Sequence, residues 1–179
     1  VQPYSDSPHD TENVSENIYM NIIERAKDYV YITTPYLILD DAMETSLKNA
    51  AKAGVDVRII TPHIPDKKLV FEATRASYMP LMKAGVKIYE YTPGFVHAKM
   101  FVSDDKLATV GTANLDYRSL FLHFECGALM YRSAAVSSVK ADFLETFEKC
   151  HRCSIAEMKR CSPFGKALAF VMKIIAPLL

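Results

Sequence analysis

A histidine and a lysine stand two residues apart in the stretch FVHAKMFVSD, whose other residues are mostly apolar and suit a strand. Side chains two positions apart on a strand share a face, so His97 and Lys99 are expected to point in the same direction. Each of these side chains would be costly to bury without a partner. We therefore expect an anionic group to lie opposite them.

The Gly-Thr-Ala-Asn segment that follows offers further groups for the same anion. Gly111 permits a tight turn or a close backbone approach, while Thr112 carries a hydroxyl and Asn114 an amide. One fixed positive charge with several neutral donors is typical of a cradle for phosphate oxygens. The sequence therefore predicts phosphate binding by Lys99, Thr112 and Asn114. His97 is a candidate to attack phosphorus or to transfer a proton near neutral pH.

Two carboxylates are candidates to hold the histidine ring. Asp104 lies seven positions after His97, and this odd separation places it on the opposite face of a straight strand, which favours a turn or structural role. Glu125 stands in the apolar run LFLHFECGALMY, where an ionised carboxylate should be paired, and it is expected to accept a ring N–H of His97. The alternative for Glu125 is a salt bridge at a strand edge. His123 shares its face if the strand is regular.

The elements that must position these residues alternate between helices and mostly apolar strands. Helical periodicity and capping residues predict helices at 11–28, 39–54, 67–84 and 134–151. Apolar, β-branched runs predict strands at 1–4, 29–37, 55–61, 86–91, 95–104, 106–112 and 120–131. This pattern predicts one α/β domain over residues 1–179, an α/β/α sandwich with a central mixed, mostly parallel sheet. The apolar segment 163–179 is expected to be a C-terminal helix, packed on the domain or lying on a membrane surface.

Composition excludes some classes of function. The 21 basic and 21 acidic side chains give a formal net charge of zero, which argues against a dominant nucleic-acid surface. Four cysteines are too few for a disulfide scaffold in a chain of 179 residues, and a reduced, cytoplasmic setting fits best. The stretch CHRC at 150–153 with Cys161 raises a zinc site as an alternative. It is disfavoured because structural zinc usually needs four well-spaced ligands.

The segments HAKMFVSD and GTAN, followed by a glutamate, resemble the His-x-Lys-x4-Asp and Gly-Ser-x-Asn elements of the phospholipase D superfamily. The stretches VQPYSDSP, AGVKIYEYTPGFVHAK and GTANLDYRSLFLHFE are similar to the second catalytic half of the bacterial-type cardiolipin synthases. The resemblance covers essentially the whole chain. It departs at Thr112, where serine is commoner, and at His123, where this subgroup usually has asparagine.

The resemblance implies an α/β/α enzyme in which two His-Lys-Asp halves share one active site. One histidine attacks phosphorus to form a phosphohistidine, and the other protonates the departing alcohol and then activates the incoming one. Such enzymes join two phosphatidylglycerols into cardiolipin, release glycerol and need no metal or organic cofactor. Carried over to this chain, the resemblance implies the catalytic set His97, Lys99, Asp104 and Glu125. His97 would be the acid and base, with the nucleophile role left open.

A single His-x-Lys set is present, whereas a double displacement needs a nucleophile and an acid on opposite sides of phosphorus. The other histidines lack a lysine two positions later: His9, His63, His123 and His151. The chain is therefore expected to be a fragment lacking its first half or one subunit of a symmetric dimer. The absence of an initiator methionine favours the fragment. The isolated chain is expected to be inactive unless it is paired.

Three functions follow as hypotheses. The first is a phosphatidyltransferase half that acts on phospholipid at the cytoplasmic face of a bacterial membrane. The second is a homodimeric single-motif phosphodiesterase or nuclease, against which the zero net charge counts. The third is a non-catalytic lipid-binding module that keeps the pocket.

Overall fold

The computed structural model describes residues 1–9 and 11–159, and in that part helices and strands alternate along the chain. The strands are β1 (Gln2–Asp6), β2 (Tyr29–Thr33), β3 (Leu37–Ile38), β4 (Asp56–Pro62), β5 (Lys87–Tyr91), β6 (Met100–Ser103), β7 (Leu107–Gly111), β8 (Leu115–Asp116), β9 (Glu125–Tyr131) and β10 (Cys150–Arg152). The helices are α1 (Val14–Arg25), α2 (Asp41–Lys52), α3 (Lys68–Lys83), α4 (Tyr117–Phe121), α5 (Ala134–Phe147) and α6 (Ile155–Lys159). The predicted helix at 163–179 lies outside the described residues.

Eight strands form one mixed sheet in the order β1-β9-β7-β6-β2-β4-β5-β10, and β3 pairs with β8 separately. Within the large sheet, β2–β4 and β4–β5 are parallel, whereas the other neighbouring pairs are antiparallel. The α/β architecture with a mixed sheet is confirmed. The expectation of a mostly parallel sheet is wrong. One reason is that β6 and β7 are joined by the short turn 104–106, which permits only antiparallel pairing.

Helices cover the sheet on both faces, and alternate residues of one strand show how. Val30 and Ile32 of β2 are buried in the core that also contains residues of α1, α2 and α3. Tyr29 and Tyr31 face the other way and pack in a second core with Phe143 of α5. A strand buried on both faces is expected to be apolar throughout, as β2 is. The described residues therefore form a three-layer α/β/α sandwich.

The capping residues predicted for α2 and α3 are found at the ends of these helices. The Asp40 carboxylate caps α2 by accepting a hydrogen bond of 2.8 Å from the backbone N–H of Met43. Gly54 and Gly85 follow these helices with φ values of +98° and +108°. This left-handed region favours glycine because it has no Cβ. These boundaries therefore agree with the sequence-based prediction.

Three predicted elements differ from the structure. The strand expected at 95–104 begins only at Met100, because β2 ends at Thr33, opposite Met100. The strand expected at 120–131 begins at Glu125, because Asp116 caps the short helix α4 through a 2.8 Å hydrogen bond from the Ser119 N–H. The helix expected at 134–151 ends at Phe147, and β10, which the sequence did not predict, pairs with β5. Among the described helices, none has the length and hydrophobicity needed to cross a bilayer.

The first strand is joined to the sheet by a tyrosine that lies over two glycines. The Tyr4 hydroxyl lies 2.9 Å from the Thr109 hydroxyl, and a Cβ on Gly127 would collide with the Tyr4 ring. A Cβ on Gly111 would lie 2.8 Å from the carbonyl oxygen of Cys126. Gly111 therefore permits the close approach of β7 and β9, and Gly127 leaves room for the Tyr4 ring.

Gly127→Ala should lower the free energy of unfolding by about 1–3 kcal/mol, the usual cost of overpacking. The matched control is Gly94→Ala, because a Cβ there meets no atom within 4 Å. Urea denaturation of the two variants and the parent chain measures the difference. Equal stability of Gly127→Ala and the parent would show that Tyr4 does not constrain this position.

Candidate active site

The predicted site residues gather at one edge of the sheet because neighbouring strands run in opposite directions. β6 is antiparallel to both β2 and β7, so the start of β6 meets the ends of β2 and β7. His97 and Lys99 precede β6, Thr112 and Asn114 follow β7, and Glu125 begins β9. An open cleft of about 340 Å³ at this edge is lined in part by His97, Lys99 and Thr112. The topology therefore brings together most of the predicted set.

The His97 and Lys99 side chains converge, as their spacing predicts. The Lys99 ammonium lies 3.0 Å from Nε2 of His97 and donates to the His97 backbone carbonyl at 2.7 Å. Lys99 is only 7% exposed, whereas His97 is exposed and stacks on Phe95 with 5.8 Å between the ring centroids. A buried ammonium group thus lies beneath an imidazole ring that solvent can reach.

Burial and charge shift the titration of both groups. Burial lowers the pKa of His97, and the Lys99 charge lowers this pKa further, against an opposing effect of Asp66. Burial also lowers the pKa of Lys99, opposed by the charges of Glu125 and Asp116. The cationic forms are therefore destabilised relative to water. An anion bound between the two side chains would stabilise both cationic forms.

Asn114, which follows β7, is held in place by hydrogen bonds to nearby residues. Its amide N–H groups donate to the Asp116 carboxylate and the Ser119 hydroxyl, each at 2.9 Å. Its amide oxygen is buried and has no hydrogen-bond partner among the described residues. Because Asp116 requires a donor, the amide N–H groups point away from the role predicted for them in phosphate binding. The unpaired oxygen is suited to accept a hydrogen bond from a cationic group or a substrate hydroxyl.

The Thr112 hydroxyl is also engaged with the protein. It accepts from the Cys126 backbone N–H at 2.9 Å and donates to the Cys126 carbonyl at 3.3 Å. These bonds connect the end of β7 to β9. The hydroxyl predicted to bind phosphate therefore has a structural use in this arrangement.

Glu125 lies away from the contact predicted for it. Its side chain is 8% exposed and its carboxylate is 3.7 Å from Nδ1 of His123. The described residues show no hydrogen bond between Glu125 and the His97 ring, whose Nε2 contacts Lys99. Glu125 does act electrostatically on Lys99, since its charge raises the pKa of that group. The structure therefore places Glu125 as a counter-charge for the lysine.

Asp66 is a carboxylate near His97 that the sequence did not identify. It follows β4 at the same edge of the sheet, and its charge raises the pKa of His97. The Tyr36 hydroxyl donates to Asp66 at 2.5 Å. The available signal was its position in a Pro-rich loop after a parallel strand, where binding residues often lie.

Asp104 lies at the opposite edge of the sheet. Its carboxylate accepts hydrogen bonds from the backbone N–H groups of Lys27, Asp28 and Tyr29, at 2.7, 3.0 and 2.9 Å. These contacts agree with the structural role inferred from the odd sequence separation. They place Asp104 away from His97, although the resemblance noted in the sequence implies that it belongs to the catalytic set.

No group of three or more metal-ligating side chains is arranged for a metal ion within the described ranges. Burial raises the pKa of Cys150 to about 11 and that of Cys153 to about 12. These shifts disfavour the thiolate form that zinc binds. Cys161 lies outside the described residues.

Comparison with known proteins identifies relatives for almost the whole chain. The family model described as cardiolipin synthase, PLD-like domain, matches residues 19–147. A Streptococcus mutans protein with no named function is 53% identical over 179 residues, and the match covers 39% of its length. A cardiolipin synthase of Geobacillus kaustophilus is 39% identical over 180 residues, and one of Halalkalibacterium halodurans is 36% identical over 179 residues. The chain spans 36% of the length of each synthase.

Solved structures support the fold alone, because their sequence identities are low. The phospholipase D family member Nuc from Salmonella typhimurium matches 85% of this chain and 99% of its own, with a TM-score of 0.70 and 15% identity. The phosphatidylserine synthase of Haemophilus influenzae matches 99% of this chain and 47% of its own, with a TM-score of 0.79 and 14% identity.

Lys99→Gln should raise the pKa of His97, because the substitution removes a neighbouring positive charge that lowers it. NMR titration of the His97 ring in both proteins measures the shift. Lys52→Gln, which removes an exposed charge at the end of α2, should leave the His97 titration unchanged. An unaltered pKa in Lys99→Gln would contradict the electrostatic coupling.

Asp104→Asn should reduce stability at neutral pH by roughly 1–3 kcal/mol, because three backbone donors lose a charged acceptor. Burial opposes ionisation of Asp104, but hydrogen bonds from Tyr29, Lys27 and Asp28 outweigh this effect and lower its pKa. The stabilisation is therefore complete above the unfolded-state pKa of about 3.9 and is lost as pH falls through the lower folded-state value.

Denaturant unfolding of Asp104→Asn and the parent chain, at pH 7 and at lower pH, measures the difference in their free energies of unfolding. Asparagine tolerates the φ of +51° at this position, so backbone strain does not confound the comparison. A penalty that does not change with pH would mean that the Asp104 charge contributes nothing.

Proposed function

The chain belongs to the family of cardiolipin synthase PLD-like domains, and from this premise we propose that it forms one catalytic half of a phosphatidyltransferase. The proposed reaction joins two phosphatidylglycerols and releases glycerol through a phosphohistidine intermediate. The observation that carries the proposal is the Lys99 ammonium, 7% exposed and 3.0 Å from the exposed ring of His97. This pair can hold a phosphodiester and present an imidazole to it.

The chemistry needs two histidines on opposite sides of phosphorus. One forms a P–N bond as the P–O bond to the first glycerol breaks, and the other gives the departing oxygen its proton. The second lipid's hydroxyl then transfers its proton to that histidine and attacks phosphorus, which breaks the P–N bond. We assign His97 to the acid and base role.

A bound phosphodiester would favour the protonated form of His97, which the acid role requires. Without an anion, burial and Lys99 lower its pKa, which favours the neutral ring. A negative charge at the same place favours the imidazolium, since opposite charges stabilise each other. Substrate binding would thereby supply the proton that the departing alcohol requires.

Glu125, Thr112 and Asn114 complete the proposed site. The Glu125 charge raises the pKa of Lys99 and so favours its cationic form, against the effect of burial. The hydrogen bonds of Thr112 to Cys126 fix the strand end beside the cleft. Asn114 would reach the substrate through its unpaired amide oxygen, or through its N–H groups after a change of partners.

The second histidine would come from outside this His-x-Lys set. A complementary half of a longer polypeptide or a second copy of the chain can each supply it, and the 36% coverage of the matched synthases favours the former. We place the assembled enzyme at the cytoplasmic face of a bacterial membrane, with phospholipid as its substrate. The alternative, a homodimeric phosphodiesterase or nuclease, is favoured only by the single His-x-Lys set. The formal net charge of zero counts against a polyanionic substrate.

Phosphatidylglycerol vesicles test the proposal, with the chain assayed as a monomer, as a dimer and mixed with a complementary half. Cardiolipin and glycerol should form only in paired states, and His97→Ala should reduce the rate by about 1,000-fold or more. His151→Gln, which removes an exposed histidine bound to Glu157, is the matched control and should retain activity. Robust turnover by a proven monomer, or by the paired His97→Ala variant, would contradict the proposal. Cleavage of plasmid DNA without lipid turnover would favour the nuclease.

A further inference from the structure

We propose that Asp66 and Tyr36 form a polyol subsite beside His97 that binds the hydroxyl groups of a glycerol headgroup. This inference rests on the proposed function and names what the site recognises next to the reacting phosphorus. The subsite would bind a neutral alcohol with at least two hydroxyl groups. We call Asp66 and Tyr36 the polyol subsite below.

The two side chains hold each other in a fixed arrangement. The Tyr36 hydroxyl donates to Oδ2 of Asp66 at 2.5 Å, and the Lys67 backbone N–H donates to Oδ1 at 2.6 Å. Each carboxylate oxygen can accept more than one hydrogen bond, so both retain capacity for a ligand. Asp66 is exposed, and a ligand can therefore reach it from solvent.

The subsite lies at the edge of the sheet that carries the anion-binding pair. Tyr36 lies between β2 and β3, and Asp66 lies between β4 and α3, where the parallel strands β2 and β4 end. The Asp66 charge acts on His97, and the charges of Asp66 and Asp116 both act on Tyr36. Asp116 in turn accepts the Asn114 amide. These electrostatic interactions link the polyol subsite to His97 and, through Asp116, to Asn114.

The chemistry of a carboxylate selects the class of ligand. Asp66 would repel a phosphate group placed directly against it, so it is unsuited to the anion itself. It is suited to accept hydrogen bonds from neutral hydroxyl groups, and a carboxylate can accept two from neighbouring hydroxyls of one polyol. Burial, the hydrogen bond with Asp66 and the charge of Asp66 raise the pKa of Tyr36, so its hydroxyl stays protonated and holds the carboxylate in place.

The reaction sequence explains why one subsite would serve both lipids. In a double displacement the departing glycerol and the incoming glycerol occupy the same position beside the acid and base. A phosphodiester held by Lys99 places its ester alcohol near His97, and the remaining hydroxyls of that alcohol then extend towards the polyol subsite. A site built around hydroxyl recognition discriminates strongly against an alcohol that lacks the hydroxyl.

Binding of two soluble probes tests the inference without requiring turnover. The probes are the methyl phosphodiester of glycerol and the methyl phosphodiester of 1-propanol, followed through the His97 ring resonances by NMR. The parent chain should bind the glycerol compound about tenfold more tightly, as expected for hydrogen bonds to a charged group. Asp66→Asn and Tyr36→Phe should lose most of this preference. Asp142→Asn, an exposed carboxylate on α5, should keep it.

The outcomes separate this inference from the proposed function. If neither probe affects the His97 resonances, the phosphate pocket and the proposed function both fail. If the parent chain binds both probes equally, the pocket stands and the polyol subsite is refuted.

Turnover of the paired enzyme gives an independent test, with free glycerol, 1-propanol and water as competing acceptors for the phosphatidyl group. Asp66→Asn should reduce the ratio of transfer to glycerol over transfer to 1-propanol about tenfold, because the first step is common to all three acceptors and cancels in this ratio. An equal loss with all three acceptors would show that Asp66 positions His97 instead, and would overturn the inference.

Discussion

The arrangement depends on one interaction, a buried ammonium group held 3.0 Å from an exposed imidazole. Lys99 has little contact with water, and its hydrogen-bond partners are the ring and the backbone carbonyl of His97. Such a pair is electrostatically unfavourable when both groups are charged. Nearby carboxylates at Glu125 and Asp116 compensate in part. A bound phosphodiester would neutralise the remaining imbalance, and on this ground we propose that the pair binds an anion.

The two edges of the sheet carry different features: one holds the Asp104 turn, and the other holds the cleft with His97 and Lys99. At one edge, Asp104 binds three backbone N–H groups and fixes the turn between β6 and β7. At the other edge, residues 95–99 precede β6 and are not paired with β2, and His97 is exposed to solvent. Glycines at 111 and 127 let β1, β7 and β9 pack closely behind the site. The hydrogen-bonded Asp104 turn and the exposed His97 therefore lie at opposite edges of the same sheet.

The sequence predicted the parts of the site that depend on local spacing. The two-residue separation of His97 and Lys99 was sufficient to predict that their side chains converge. Contacts between distant segments were not predictable in this way: Asp66 approaches His97 only because β4 ends and β6 begins at the same edge of the sheet. The sequence predicts that Glu125 holds the His97 ring, but in the structure its carboxylate lies 3.7 Å from Nδ1 of His123. The prediction of a mostly parallel sheet was wrong, because the alternation of helices and strands does not reveal the direction of each strand.

The most direct test of anion capture is a crystal structure of the chain with tungstate, a tetrahedral phosphate analogue. We expect one well-ordered oxyanion with oxygens within hydrogen-bond distance of Lys99 Nζ and His97 Nε2, and a shift of the ammonium away from its contact with the ring. An oxyanion bound only at other surfaces, with Lys99 still hydrogen-bonded to His97, would refute anion binding by this pair.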